Sequence, residues 1–223
     1  MKIQISYPLV GFLMLLICNA GRAQDQWKNV YSSPAWAERD VWQKADSLIR
    51  LLAIDSASQV ADLGCHEGYM TMKLASRVGV KGKVFAVDIN PARLDLLRNR
   101  IQAAQLNQVT AVLGRTDDPQ FPSRKLDGVI ILDSYHEMKW HNQILQKVRI
   151  SLRPGGRLLL CEPIAEFRRT WSREEQEKVH ELGIDFAIKD LKRAGFKVIF
   201  KQDRFIDREK IKGDKMWVIV AQK

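Results

Sequence analysis

Cysteine is scarce in this sequence, and its positions do not support a disulfide framework. There are three cysteines in 223 residues, Cys18, Cys65 and Cys161. Small secreted domains that depend on disulfides contain many more cysteines at regular spacing. Cys65 and Cys161 also have no base beside them in the sequence, which argues against a thiol nucleophile. We therefore expect both to be small buried residues.

Histidine is scarce as well, with four residues in the chain. Only His136 and His141 lie close together in the sequence, and no cysteine or further histidine stands at a metal-ligand spacing from them. Trp140 lies between these two histidines and makes the segment typical of packing. The sequence therefore predicts no metal site.

A long apolar run is missing too. The apolar block at residues 9–18 is shorter than the roughly 20 residues that span a bilayer. It follows Lys2 and precedes Gly21, Arg22 and Ala23, which is typical of a secretory signal peptide. We predict a signal peptide over residues 1–23, cleavage after Ala23 and an exported, periplasmic protein.

The chain is basic but contains no basic stretch interleaved with aromatic residues. Its formal net charge is +10, and loss of Lys2 and Arg22 with the leader would leave +8. Lysine and arginine are otherwise scattered among acids, which is typical of a solvated surface. We therefore expect no nucleic-acid partner. Peripheral contact with an anionic membrane surface stays open.

Internal repeats and low-complexity linkers are also missing, so residues 24–223 are predicted to form one domain. Apolar strand patterns alternate with helical patterns, which predicts an α/β, Rossmann-like doubly wound sheet. A helix capped by Asp40 and reaching Leu52 would lie in an N-terminal cap, residues 24–55, ahead of a core over residues 56–223. The last two strands have no predicted helix between them and should pair antiparallel.

The segment of residues 60–90 lays out a nucleotide-cofactor site in order. One apolar strand ends on Asp62, a turn contains Gly64 and Gly68, a helix follows, and the next strand ends on Asp88. Glycines let the turn adopt positive φ and let a ligand approach the backbone. An acid about 20 residues further on is placed to bind ribose hydroxyls. The spacing does not fit G-x-G-x-x-G, and Asp62 would repel a pyrophosphate, so the pattern favours a cationic ligand.

The pattern D-L-G-C-x-E-G-Y, which includes Cys65 and His66, resembles the first motif of class I S-adenosylmethionine-dependent methyltransferases. It is followed by LDGVIILDSYHEM and LRPGGRLLLCE, which are similar to the fourth and fifth motifs of that family. The resemblance is closest to a group of small, often exported bacterial methyltransferases. It implies a seven-stranded sheet of order 3-2-1-4-5-7-6 with the last strand antiparallel, and S-adenosylmethionine as cofactor.

The resemblance also assigns further cofactor residues. Asp88 falls where the family binds ribose, and Ile89 beside it would contact adenine. The segment GRTDDPQFP is similar to the region whose acid reaches the adenine amino group. Asp117 is the better match for that acid, and Asp118 is the alternative.

Asp133, Tyr135 and His136 are the candidate catalytic residues, because they follow the strand whose end lies beside the transferable methyl group in this family. His136 would act as a base for the acceptor proton, Tyr135 would shape the pocket, and Asp133 would end the strand. The alternative is that His136 closes the cleft and Glu137 caps the next helix. Four aromatic residues near the expected acceptor region suggest an apolar lining or packing: Trp36, Trp42, Phe167 and Trp171.

Three hypotheses follow from these residues. The first is methyl transfer to a small-molecule or lipid-like acceptor. The second is an exported S-adenosylmethionine-binding protein without turnover, because His66 replaces a glycine common in the family and the cofactor is made in the cytosol. The third is a nucleic-acid methyltransferase, which the leader and the missing N-P-P-Y or D-P-P-Y motif disfavour.

Overall fold

The computed structural model describes residues 33–223 of the chain. The predicted signal peptide, residues 1–23, lies outside the described residues, so cleavage and export stay predictions. Among the helices of the described part, none combines the length and apolar character that a membrane span requires.

Two short helices precede the sheet, where the sequence predicted one. Helix α1 spans Ser33–Trp42 and helix α2 spans Ala45–Leu52. Lys44 lies between them with φ = 51°, in the left-handed region. The prediction of a single helix is wrong because this residue interrupts the helical backbone.

Seven strands form one sheet, and each buried run predicted as a strand belongs to it. Their bounds are β1 Gln59–Leu63, β2 Lys83–Asp88, β3 Val109–Leu113, β4 Leu126–Leu132, β5 Leu152–Ile164, β6 Lys197–Arg208 and β7 Asp214–Gln222. The strand order is β3-β2-β1-β4-β5-β7-β6. Strands β1 to β5 pair in parallel, and β7 pairs antiparallel with both β5 and β6. The predicted fold and strand order are confirmed.

Six further helices connect the strands within residues 33–223. They are α3 Tyr69–Val78, α4 Pro91–Ala103, α5 His141–Ser151, α6 Arg173–Lys178, α7 Ile184–Arg193 and α8 Glu209–Lys212. Helix α8 is a single turn between β6 and β7, where the sequence predicted no helix. The antiparallel pairing is nevertheless as predicted, since one turn is too short for a parallel crossover.

The core lies on both faces of the sheet. Neighbouring residues of a strand point to opposite faces, so Val60 joins the core under α2, α3 and α4, whereas Ala61 joins the core under α5 and α7. Both residues are fully buried. Leu48 and Leu52 of α2 belong to the first of these cores, so the N-terminal segment packs on the sheet.

Candidate active site

The turn that follows β1 is fastened to the end of β2 by main-chain hydrogen bonds. The N–H groups of Gly64 and Cys65 both donate to the carbonyl oxygen of Val87, over 2.8 and 3.0 Å. Gly64 has φ = 81°, which glycine adopts without steric cost. A Cβ on Gly64 would lie 2.4 Å from Ser134 Oγ. Glycine is therefore required where the ends of β1 and β4 approach each other.

His66 keeps the backbone geometry that a glycine would provide. Its φ of 50° lies in the left-handed region, which histidine tolerates better than most residues. Its N–H donates to Asp88 Oδ2 over 2.9 Å, and its ring lines the central cavity. Burial, together with the nearby Arg39 charge, lowers the pKa of the imidazole to about 4. The ring is therefore neutral at pH 7.

Asp62 places a buried carboxylate on the wall of the same cavity. The residue is 2% exposed, and Thr71 Oγ1 donates to its Oδ2 over 2.6 Å. Burial raises the pKa of Asp62 from 3.8 to about 6, although the hydrogen bond from Thr71 and the charge of Arg39 lower it. A cationic ligand would offset the cost of burying this carboxylate. The position therefore suits a positively charged group.

Asp88 at the end of β2 is held by two backbone groups. His66 N–H donates to one carboxylate oxygen, and Asn90 N–H donates to the other over 2.9 Å. Each oxygen can still accept a further hydrogen bond. Asp88 and the exposed Ile89 beside it both line the cavity, so the geometry is compatible with their predicted roles.

Asp133 directly follows β4 and pairs with the buried Arg208. Its φ is 55°, and Arg208 Nη1 lies 2.8 Å from its Oδ2. Burial would raise the pKa of Asp133, but Arg208 and His136 together lower it to about 2. Arg208 also donates from Nε to Asp214. Asp133 is therefore an anion paired within the protein.

The short turn after β4, Tyr135–Glu137, is organised by Glu162 at the end of β5. This carboxylate is fully buried. It accepts hydrogen bonds from the backbone N–H groups of Ser134 and Tyr135, each over 2.8 Å, and it contacts His136 Nδ1 at 2.5 Å. Burial lowers the pKa of His136, but the Glu162 charge outweighs it and raises the pKa to about 9. The ring is therefore protonated at neutral pH, which favours donation of a hydrogen bond over base catalysis.

Tyr135 faces away from the cavity. Its side chain is fully buried, and its hydroxyl donates to Asp190 Oδ2 over 3.0 Å. The side chain of Tyr135 packs in the core that contains α5 and α7. Its predicted role in shaping the pocket finds no support in this position.

Three predicted cofactor residues do not line the cavity. Gly68, with φ = 95°, lies at the start of α3. Asp118 forms an ion pair with Lys147 at 2.8 Å, and Asp117 lies 3.5 Å from Arg115. The cavity wall in this region is formed by Arg115 and Thr116. The adenine role of Asp117 or Asp118 stays a prediction.

The cavity measures about 1260 Å³ and unites the ends of β1, β2 and β4. It also contains residues that sequence reasoning did not single out as site residues, among them Arg39, Arg208 and His180. Glu162, which organises one wall, directly follows the buried run LLLC. An acid after such an apolar run is the sequence feature that could have identified Glu162 as a site residue. Arg208 is the last residue of β6, a mostly exposed strand, and gives no such signal. Cys65 and Cys161 are both buried, as predicted.

Helix α1 is attached to Tyr69, which lines the cavity together with Arg39 of α1. The Tyr69 hydroxyl donates to Asp40 Oδ1 over 2.7 Å. The guanidinium of Arg39 lies 4.2 Å from the centre of the Tyr69 ring, and the Trp36 ring meets it edge-on at 5.8 Å. Asp40 thus anchors α1 to Tyr69. The prediction that Asp40 caps a helix is wrong, because the residue lies inside α1.

Comparison with known proteins agrees with this geometry. A family model for a methyltransferase domain matches residues 60–156. Demethylmenaquinone methyltransferases from Bacillus cereus are 24% identical over 141 residues, which cover 63% of this chain and 59% of the relative. The one from Bacillus mycoides is 23% identical over the same length. The match thus spans less than two thirds of these curated relatives.

Solved structures share the fold at lower identity. An S-adenosylmethionine-dependent methyltransferase from Aquifex aeolicus has a TM-score of 0.69 at 16% identity, over 83% of this chain and 92% of that one. The [4+2]-cyclase SpnF has the same TM-score at 15% identity, over 81% and 80%. A phosphoethanolamine N-methyltransferase from Haemonchus contortus with bound S-adenosylmethionine has a TM-score of 0.67 at 12% identity, over 88% and 58%. These structures share the predicted fold, and the family model identifies residues 60–156 as a methyltransferase domain.

Proposed function

We propose that this chain transfers the methyl group of S-adenosylmethionine to a small-molecule or lipid-like acceptor. Residues 60–156 match a family model for a methyltransferase domain, and the fold is shared with an S-adenosylmethionine-dependent methyltransferase. The observation that carries the proposal is the pair Asp62 and Asp88, at the ends of adjacent parallel strands on one cavity wall. The buried carboxylate of Asp62 suits the cationic methionine part of the cofactor, and Asp88 suits its ribose hydroxyls.

The cavity is large enough to hold a second molecule beside the cofactor. Small-molecule sites occupy about 300–1,000 Å³, and this cavity measures about 1260 Å³. The cofactor would occupy the side with Asp62 and Asp88. We call the opposite side, lined by Arg168, Val179 and His180, the acceptor side.

Two aromatic residues, Phe167 and Trp171, pack around Arg168 of the acceptor side without lining the cavity themselves. Phe167 and Trp171 meet edge-on at 6.1 Å, and the guanidinium of Arg168 lies over both rings, at 4.7 and 5.5 Å. Phe167 is 66% exposed. Exposed aromatic side chains next to the cavity favour an acceptor with an apolar or aromatic body. A small-molecule acceptor also agrees with the demethylmenaquinone and phosphoethanolamine in the names of the related enzymes.

In methyl transfer, the cofactor supplies an electrophilic methyl group on its sulfonium, and the protein aligns the acceptor for in-line attack. His136 would donate a hydrogen bond to the acceptor, since its pKa of about 9 keeps the ring protonated. Asp133 and Arg208 would hold the end of β4 in place beneath it.

A binding experiment tests the cofactor half of the proposal. Equilibrium titration with S-adenosylmethionine should give saturable binding that weakens at least tenfold in Asp88→Asn, about the worth of one hydrogen bond to a charged group. Asp95→Asn is the matched control, because that aspartate is exposed on α4 outside the cavity. Equal affinity in both variants would contradict the assignment of Asp88.

A transfer experiment tests the acceptor half. Methyl-labelled cofactor, incubated with the protein and fractionated periplasmic or membrane extract, should label a low-molecular-weight or lipid fraction. Label in RNA would favour the nucleic-acid hypothesis instead. Cofactor binding without any labelled product would favour the exported binding protein.

Export forms part of the same proposal, with a periplasmic location after cleavage of residues 1–23. Fractionation of cells that express the full chain, followed by N-terminal sequencing, should find mature protein that begins at Gln24 in the periplasm. Protein that keeps Met1 and stays with the cytosol would contradict export.

A further inference from the structure

We propose that His136, Glu137 and His180 form a binding site for a divalent transition-metal ion on the acceptor side of the cavity. His180 Nδ1 lies 3.2 Å from Glu137 Oε1, and His136 Nε2 lies 3.9 Å from the same oxygen. The three donor atoms all lie within 4.8 Å of one another. All three residues line the cavity.

The donor set determines the class of ion. Two imidazole nitrogens and one carboxylate oxygen suit Zn²⁺, Fe²⁺ or Co²⁺ better than the hard ions Mg²⁺ and Ca²⁺, which prefer oxygen ligands. Donors bound to a tetrahedral ion at 2.0–2.1 Å lie about 3.3 Å from each other. The pair Glu137 and His180 already has this spacing, and the other distances close with small side-chain movements.

The three side chains differ in solvent exposure in a way that suits a metal site. Glu137 and His180 expose 57% and 47% of their side chains, so both can turn toward an ion. His136 exposes only 3%, and Glu162 fixes its ring through Nδ1. That contact directs Nε2 toward Glu137. A carboxylate that holds the far nitrogen of a histidine is the usual outer partner of a metal ligand.

A second cluster, Asp133, His136 and Glu162, brings its donor atoms equally close. Its carboxylates are already committed, because Asp133 pairs with Arg208 and Glu162 accepts hydrogen bonds from backbone N–H groups. An ion there would have to displace these buried donors. In the cluster of His136, Glu137 and His180 those bonds of Asp133 and Glu162 stay in place. The ion would displace the Nε2 proton of His136 and would then take over the role of that proton toward the acceptor. This cluster is the one we propose.

Three protein ligands leave at least one coordination position open, as in catalytic metal sites. If the proposed function is correct, that position would bind a hydroxyl or carboxylate oxygen of the acceptor, because the cluster lies on the acceptor side. Sequence spacing gave no sign of the site because His180 lies far along the chain from the other two residues. The sheet and the segment before α7 bring them together.

Cobalt binding, followed by visible absorption, tests the site without any methyl-transfer assay. Tag-free full chain, freed of metal with a chelator, should bind one Co²⁺ with the absorption of a coordinated ion, and Zn²⁺ should displace it. Glu137→Gln and His180→Ala should each weaken binding at least tenfold, about the effect of losing part of a metal site. Both residues are exposed, so neither change is expected to prevent folding.

Two variants serve as controls. Glu166→Gln changes a glutamate of similar exposure, and His141→Gln changes a histidine outside the cluster. Both should bind Co²⁺ like the wild type. The proposal fails if about millimolar Co²⁺ gives no bound spectrum or if binding survives in Glu137→Gln and His180→Ala. It also fails if only Asp133→Asn weakens binding, since the ion would then lie in the second cluster. Any of these results leaves the methyltransferase proposal intact.

Discussion

Replacing Asp62 with asparagine should stabilise the protein above neutral pH and lower its affinity for the cofactor. Burial raises the pKa of Asp62 from 3.8 to about 6. A tenfold change in a proton-binding constant corresponds to about 1.4 kcal/mol of free energy. The ionised carboxylate therefore costs the folded protein about 3 kcal/mol, which asparagine avoids while it still accepts the hydrogen bond from Thr71.

The pH dependence follows from the direction of the shift. The folded-state pKa exceeds the unfolded one, so the folded protein holds the Asp62 proton more tightly. Its contribution to stability is present below the unfolded pKa of 3.8, falls as the pH rises toward about 6, and stays lost above that. Urea unfolding of wild type and Asp62→Asn at about pH 4 and pH 8 isolates this effect, because the other titrating groups cancel in the difference.

At about pH 8 the variant should exceed the wild type in unfolding free energy by about 2–3 kcal/mol, and at about pH 4 the two should nearly agree. Asp62→Asn should also bind S-adenosylmethionine about 10–100-fold more weakly, the worth of a hydrogen bond to a charged group. Asp95→Asn is the control for both measurements. A stability difference that does not change with pH would refute the argument that burial destabilises this carboxylate, and unchanged affinity would refute its role toward a cationic ligand.

Two further predictions concern the turns around the cavity. Gly64→Ala should lower the unfolding free energy by about 1–3 kcal/mol, since its φ of 81° and the approach of β4 both oppose a Cβ; an unchanged urea midpoint would contradict the need for glycine. Glu162→Gln should cost about 3–5 kcal/mol, because a cationic imidazole and backbone donors would lose their buried partner. A thermal unfolding temperature within a degree or two of wild type would show that Glu162 does not organise the turn.

Parallel strands explain why so much of the site could be predicted from the sequence. In such a sheet the carboxyl ends of neighbouring strands meet at one edge, and the register pairs Leu63 with Val87. An acid at the end of each apolar run must therefore lie near the others. Asp62, Asp88 and Asp133 fulfil this expectation in one cavity.

Ion pairs and hydrogen bonds between residues far apart in the sequence could not be predicted in the same way. Asp118 lies in a loop whose composition is compatible with a ligand, but Lys147 from α5 pairs with it. Tyr135 follows β4 directly, yet its hydroxyl bonds to Asp190 from α7. Both outcomes depend on which distant residue lies within reach, and local spacing contains no information about that.

Helical periodicity also concealed a break in the N-terminal segment. Val41 matches the apolar spacing of residues 41–52, but it is 87% exposed. Lys44 ends the periodic alignment by adopting a left-handed conformation, and its ammonium donates to the carbonyl oxygen of Phe205 over 2.7 Å. A contact with β6 thus decides where α2 begins.

The bulky residue in the cofactor turn bears directly on whether this chain is an enzyme or only a binding protein. His66 keeps the left-handed backbone that a glycine would have, and its N–H supports Asp88. Its pKa of about 4 leaves the ring uncharged, so it does not oppose a sulfonium. Backbone shape and charge at the turn therefore both permit cofactor binding. What distinguishes turnover from binding is then the acceptor side, where His136 and its neighbours meet the second molecule.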